Sequence, residues 1–192
     1  ALGVPPGFFA LGRPRVQVDI AEASFRRLRS TTVTQQQQAT AYVEQAWELS
    51  CYLEESVEFP DLDLPTWAQV DSSDVPDPVT AARAMRQHWM LGTVPINHLV
   101  YELEQHGILT VFFSMKEDVA LDEKSRIDAF STTALPRPMI VLTPDKANDV
   151  MRHRFSAAHE LGHIVLHHGR QGTDSQLERQ ADSIRLLLLN VP

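Results

Sequence analysis

The sequence predicts an α+β fold, mostly helical, with a small three-stranded sheet and a final helix pair that carries His-Glu-x-x-His. Two features predict the helices and the strands. Apolar residues recur at helical spacing through residues 34–57, 152–168 and 174–189. Three short runs, 108–113, 129–133 and 139–143, read instead as strands, the first being the clearest: it is β-branched and aromatic and directly follows a helix stop. A third feature is their order, helices first, then the strands, then two more helices, which is a compact α+β plan.

Taken from the start, Leu2-Gly3-Val4-Pro5-Pro6-Gly7-Phe8-Phe9 reads as an interior linker with two aromatic anchors. Val16 to Ile20 suits a short strand, and Asp19 can cap a helix running to Arg29. Ser30-Thr31-Thr32 breaks that helix, and a long one follows from about Thr34 to Val57, with Ala41, Val43, Ala46, Trp47, Leu49, Cys51 and Leu53 as its apolar faces. Phe59 to Pro78 holds four Pro and five Asp, and no calcium-loop spacing appears among the acids, so the stretch reads as a polar linker. The expected organisation is therefore a helical N-terminal region (1–59), a Pro/Asp-rich linker (60–78) and a main domain (79–192). Val79 to Met90 is expected to be helical and to end at Gly92. Pro95 suits the first position of the next helix, which carries Ile96, Leu99, Val100 and Leu103 and stops at Gly107.

Composition narrows the functional classes. The chain has 192 residues, enough to bury one good core. No run approaches the ~18 apolar residues of a membrane span, and no signal peptide opens the chain. Cys51 is the single cysteine, so no internal disulfide is possible, which fits a cytoplasmic setting. A net charge of -8 argues against a bulk electrostatic grip on nucleic acid, although Arg26, Arg27 and Arg29 form a local basic cluster.

The chemistry concentrates in Ala158-His159-Glu160-Leu161-Gly162-His163. Residues four apart on a helix share a face, so His159 and His163 can aim two imidazoles at one point, which makes two legs of a tetrahedral zinc site. Glu160 lies about 100° further round the helix. There its carboxylate can reach a zinc-bound water, whose pKa falls to about 7, and take its proton as general base. On a wheel from Arg152 to His168, Ala157, Leu161, Ile164 and Val165 cluster opposite the two histidines. One face then packs on a core while the other holds the metal cleft. The competing reading is a solvated helix whose polar face happens to carry His.

A third ligand is needed. His167 lies two turns from His159, about 12 Å along the axis, too far for one ion on a straight helix. His167 and His168 suit the helix end, where cationic side chains favour the last carbonyls, with Gly169 or Gly172 as the stop. Residues 174–189 form a second helix, N-capped by Asp174 or Ser175. Its stripe of Leu177, Ala181, Ile184 and Leu188 can pack on the first helix. Glu178 and Asp182 share another face. Glu178 is the candidate third ligand, and Asp182 the candidate partner for the other ring nitrogen of a ligand histidine. The competing reading is an acidic pair on a solvated helix.

Phe155-Ser156-Ala157-Ala158-His159-Glu160-Leu161-Gly162-His163-Ile164-Val165-Leu166-His167, followed by Glu178-Arg179-Gln180-Ala181-Asp182, resembles the ImmA/IrrE family of metallo-endopeptidases. The resemblance spans roughly Val94 to Pro192. It departs from the family at Ser183-Ile184, where Phe-Ala is common, and at the end, Leu-Leu-Asn-Val-Pro, where Leu-Leu-Met-Pro is common. Members of that family are zinc-dependent, and several cleave helix-turn-helix repressors. The resemblance implies Zn2+ on His159, His163 and Glu178, with Glu160 as the catalytic base. It also implies a protein substrate, a helix-turn-helix repressor, whose cleavage relieves repression. The Leu2 to Phe9 segment is similar to the one that follows an N-terminal helix-turn-helix domain in longer members. Two rival readings stand beside this one. The first is a zinc-containing sensor or binding module that holds a transcriptional regulator without cutting it, against which Glu160 speaks. The second is a scaffold with a structural site, which usually closes its fourth position with a protein ligand, often Cys.

Overall fold

A computed structural model describes residues 33–69, 76–114, 128–144, 150–167 and 174–189. The linker, strand and helix expected within residues 1–32, and the stop at Gly169 or Gly172, lie outside them. Among the described residues the order is α1 (Val33–Glu54), α2 (Thr66–Gln69), α3 (Pro78–His88), α4 (Leu99–Gln105), β1 (Leu109–Phe112), β2 (Ala129–Thr132), β3 (Met139–Leu142), α5 (Val150–His167) and α6 (Asp174–Leu189). The α+β expectation holds, and all three strands fall where their composition placed them. No helix among the described residues is long and apolar enough to cross a membrane.

The sheet has strand order β1-β3-β2. β3 pairs in parallel with β1, Leu109 opposite Met139, and antiparallel with β2, Ala129 opposite Leu142. Every residue of β2 and β3 is buried, because both faces of the sheet are covered. Side chains alternate between faces along a strand. Phe130, Met139 and Val141 accordingly pack on Ala39, Val43, Ala46 and Trp47 of α1. Ala129, Ile140 and Leu142 belong to the opposite core with Ala157, Ala158, Leu161, Ile164 and Val165 of α5. Ile184, Leu188 and Leu189 of α6 complete that second core, which also takes in Leu64 and Ala68 from the Pro-rich stretch.

Local chemistry explains the helix ends. Asp77 caps α3, its Oδ1 accepting from the backbone N–H of Val79 (2.9 Å) and Thr80 (3.2 Å), with Pro78 in the first turn. Gly107 ends α4 with φ +77°. Its N–H donates to the Glu104 carbonyl (3.1 Å) and that of Ile108 to Leu103 (3.0 Å), the Schellman arrangement. A Cβ at Gly107 would stand 2.5 Å from the Asp61 carbonyl oxygen, so glycine is required twice over.

Pro95 is a correction. It does not start a helix; α4 begins four residues later, after His98. The cause is Arg86, whose guanidinium donates to the carbonyls of Gly92 (2.9 Å) and Val94, and to that of Leu188 at 2.6 Å. Carbonyls turned toward that side chain hold residues 92–94 in turns, and Ile96 reaches the core from a non-helical connection.

Candidate metal centre

α5 and α6 make the site. Gly162 sets their separation: a Cβ there would lie 2.4 Å from Ile184 Cγ2, 3.0 Å from Ala181 Cα and 3.1 Å from the Ala181 carbonyl oxygen. With no side chain in the way, α6 lies directly on the turn of α5 that carries the two histidines. The Leu177, Ala181, Ile184, Leu188 stripe is buried, as its spacing predicts.

The wheel put the histidines on a face away from the core, and that face is covered as well. Every residue of α5 from Ala157 to His167 is buried. His159 is 1% exposed, Glu160 2% and His163 8%. The side chains of Glu178 and Asp182 are more open, at 35% and 48%. The site thus has a dry floor of two imidazoles and a carboxylate, and an acidic wall on α6 that reaches solvent.

Three donor groups converge. His159 Nε2 and His163 Nε2 are 3.0 Å apart. Glu178 turns one oxygen to each, Oε2 to His159 and Oε1 to His163, both at 3.2 Å. One donor atom from each of the three residues can be chosen so that all lie within 4.8 Å of one another. On the far side of His159, Nδ1 meets Asp182 Oδ1 at 2.8 Å, and Arg185 approaches the same oxygen at 3.3 Å. Glu160 Oε2 accepts a hydrogen bond from Ser131 Oγ of β2 at 2.8 Å.

Residues 103–188 match the model of the peptidase M78 family, described as the IrrE N-terminal-like domain. This region is similar to the peptidase M78 domain. The match runs from α4 through the sheet to the end of α6, so it contains the whole cluster. Comparison with curated proteins and with solved structures finds no match. The M78 family is one of metallopeptidases, so the similarity points to a metal ion.

The donor set of the cluster fits such an ion. An imidazole whose Nδ1 donates to a carboxylate presents a bare lone pair at Nε2. Asp182 Oδ1 favours that form in His159, whose Nε2 faces another imidazole Nε2 and a carboxylate at 3.0–3.2 Å. Lone pairs brought that close repel unless a proton or a metal ion sits between them. Ligands about 2.0–2.1 Å from a tetrahedral zinc stand about 3.3 Å apart, close to these separations.

His167 lies in the last turn of α5, as its position predicts, but its ring faces inward. It is buried, with Nδ1 3.0 Å from His163 Nδ1 and Nε2 3.1 Å from Gln180 Oε1. α6 contributes Gln180 to this turn, so the ring finds its partners inside the protein. Tyr101 is exposed on α4, and His106 is held by Asp63 (2.8 Å) and stacked on Trp89. His153 packs edge-on against Phe112. Sequence reasoning missed Ser131, which carries no signal beyond strand composition. It also missed Gly162, although a glycine inside a helical pattern is itself a sign of close approach.

Proposed function

We propose that this chain is a zinc-dependent endopeptidase in which His159, His163 and Glu178 hold the ion and Glu160 is the general base. The convergence of two buried Nε2 atoms and a carboxylate beside the buried Glu160 carries this reading. When bound, zinc supplies Lewis acidity, bringing the pKa of a water to about 7 and polarising a peptide carbonyl. Glu160 accepts the proton of the attacking water and delivers it to the leaving amine nitrogen. Ser131 fixes the rotamer of that carboxylate through Oε2. Asp182 takes the Nδ1–H of His159 and so orients its ring. Glu178 and Asp182, the more open side chains, mark the side from which a peptide enters.

The substrate we propose is a helix-turn-helix transcriptional repressor, cut to relieve repression in the cytoplasm. Its support is the resemblance to ImmA/IrrE proteins together with the family match over residues 103–188. The test is Glu160→Gln. It should retain zinc and lose hydrolysis of a co-expressed repressor, read by fragment analysis. A Glu160→Gln chain that cuts at the wild-type rate removes the base assignment. A wild-type chain that binds zinc and the repressor yet yields no fragments favours the sensor reading instead.

A further inference from the structure

We infer that His167 and Gln180 form a hydrogen-bond relay that fixes His163 in the tautomer able to bind the metal, an inference that rests on the ligand assignment proposed above. A metal-binding imidazole is neutral and carries a single N–H. In His163 the atom facing the site is Nε2, 3.0 Å from His159 Nε2 and 3.2 Å from Glu178 Oε1. Its hydrogen must therefore sit on Nδ1. That atom lies 3.0 Å from His167 Nδ1. With that hydrogen on His163 Nδ1, His167 Nδ1 is the acceptor, so the hydrogen of a neutral His167 is on Nε2. His167 Nε2 in turn lies 3.1 Å from Gln180 Oε1, a carbonyl oxygen that only accepts. The chain of donors runs one way, from His163 through His167 to Gln180. The opposite sense needs the amide NH2 of Gln180 against His167, and it would place a hydrogen on His163 Nε2, the atom required for the metal.

The two histidines are thus prepared by different means. His159 has a carboxylate on its Nδ1, and His163 has a neutral imidazole backed by an amide. Both outer partners, Asp182 and Gln180, come from α6, which also supplies Glu178. Docking of one helix therefore brings the carboxylate donor and sets both tautomers. His167 is a positioning residue: it acts on the metal only through His163.

The experiment uses the full chain with zinc in competition with a chromophoric chelator. His167→Leu keeps the buried volume and removes the acceptor. Its zinc affinity should fall 10- to 100-fold, the usual effect of losing a ligand's outer partner. His167→Asn places Oδ1 where Nδ1 was and should restore affinity toward wild type. Thermal stability of the metal-free proteins should rank the other way, Leu above Asn, because Asn is the poorer helix former and buries more polar surface. A role in packing alone would make both properties follow the same order. In zinc-loaded wild type, 15N NMR should find the His167 hydrogen on Nε2. Wild-type affinity in His167→Leu, or a His167 hydrogen on Nδ1, overturns the relay while leaving the ligand assignment standing. A wild-type chain that takes up no zinc overturns the ligand assignment, and the relay with it.

Discussion

Gly162→Ala tests whether the α5–α6 separation is what completes the metal centre. The new Cβ would lie 2.4 Å from Ile184 Cγ2, 3.0 Å from Ala181 Cα and 3.1 Å from the Ala181 oxygen. Ordinary carbon contacts are about 3.5–4.0 Å, so the backbone contact alone is short by roughly half an ångström or more. Ile184 cannot turn away cheaply, because a β-branched side chain in a helix has one strongly preferred χ1. α6 must therefore move out. Overpacking of this kind costs about 1–3 kcal/mol. Ala in place of Gly returns about 0.8–1 kcal/mol of helix propensity. The net loss is about 1 kcal/mol, or a Tm lower by about 2–4 °C for a chain of this size. The effect on the site should be larger than the effect on the fold. Glu178 is one turn from Ala181 on α6, and its oxygens now stand 3.2 Å from each imidazole. Moving the helix by half an ångström or more draws them away, and zinc affinity should fall at least 10-fold, on the scale of outer-partner losses. Chelator competition and a thermal melt on the same preparation read both effects. A Gly162→Ala chain with wild-type affinity and an unchanged or higher Tm would refute the reasoning, because helix propensity alone would then account for the substitution.

Two further outcomes follow. Ser131→Ala removes a hydrogen bond to the buried Glu160 carboxylate, worth about 1.5–3 kcal/mol for a charged acceptor. It should lower kcat for peptide hydrolysis with zinc content unchanged, and a variant with wild-type kcat would exclude Ser131 from orienting the base. Asp63 joins the Pro-rich stretch to α3 and α4 through His88 (2.6 Å) and His106 (2.8 Å). Burial by itself raises its pKa, but the hydrogen bonds from His106 and His88, with their charges, hold the carboxyl below its ordinary 3.8. A carboxylate with a depressed folded-state pKa stabilises fully above the unfolded value, and that stability is lost as pH falls through the folded one. The side chain is half exposed, so the pairs contribute on the order of 0.2–1 kcal/mol each. Asp63→Asn should lower the urea midpoint at neutral pH, with the gap from wild type closing below pH 3.8; a gap that persists into acid would point to lost packing instead.

What the sequence made legible here follows from how local each signal is. The strands at β1, β2 and β3 and the helices α5 and α6 were readable because periodicity and composition are properties of short windows. The candidate metal cluster was readable for the same reason: His159 and His163 are one turn apart, and Glu178 and Asp182 repeat that spacing on the next helix. Pro95 misled because its local suitability for a helix start competes with Arg86, nine residues upstream, which holds the neighbouring carbonyls. His167 misled similarly. By itself a histidine in the last turn suits a cap, and only the packing of α6 shows that it is buried between His163 and Gln180. Ser131 lies 29 positions before Glu160, a separation at which no single-sequence pattern speaks.

The α5–α6 interface is at once core and site, and this explains how a buried polar cluster is tolerated. Placing two imidazoles and a carboxylate away from water is unfavourable unless each polar atom has a partner. Small residues on one part of the interface, Gly162 against Ala181 and Ile184, bring the helix axes close enough for polar partners to meet elsewhere along it. Asp182 and Gln180 then satisfy the outer nitrogens of His159 and, through His167, of His163. The remaining donor atoms meet at one point, where the two Nε2 atoms and Glu178 face one another at 3.0–3.2 Å. That is the point at which the proposed ion would be held. The packing that stabilises the helix pair is therefore the same packing that brings the three donor groups together, and substitutions along this interface should change stability and zinc affinity in the same direction unless, as at His167, proton placement sets the affinity separately.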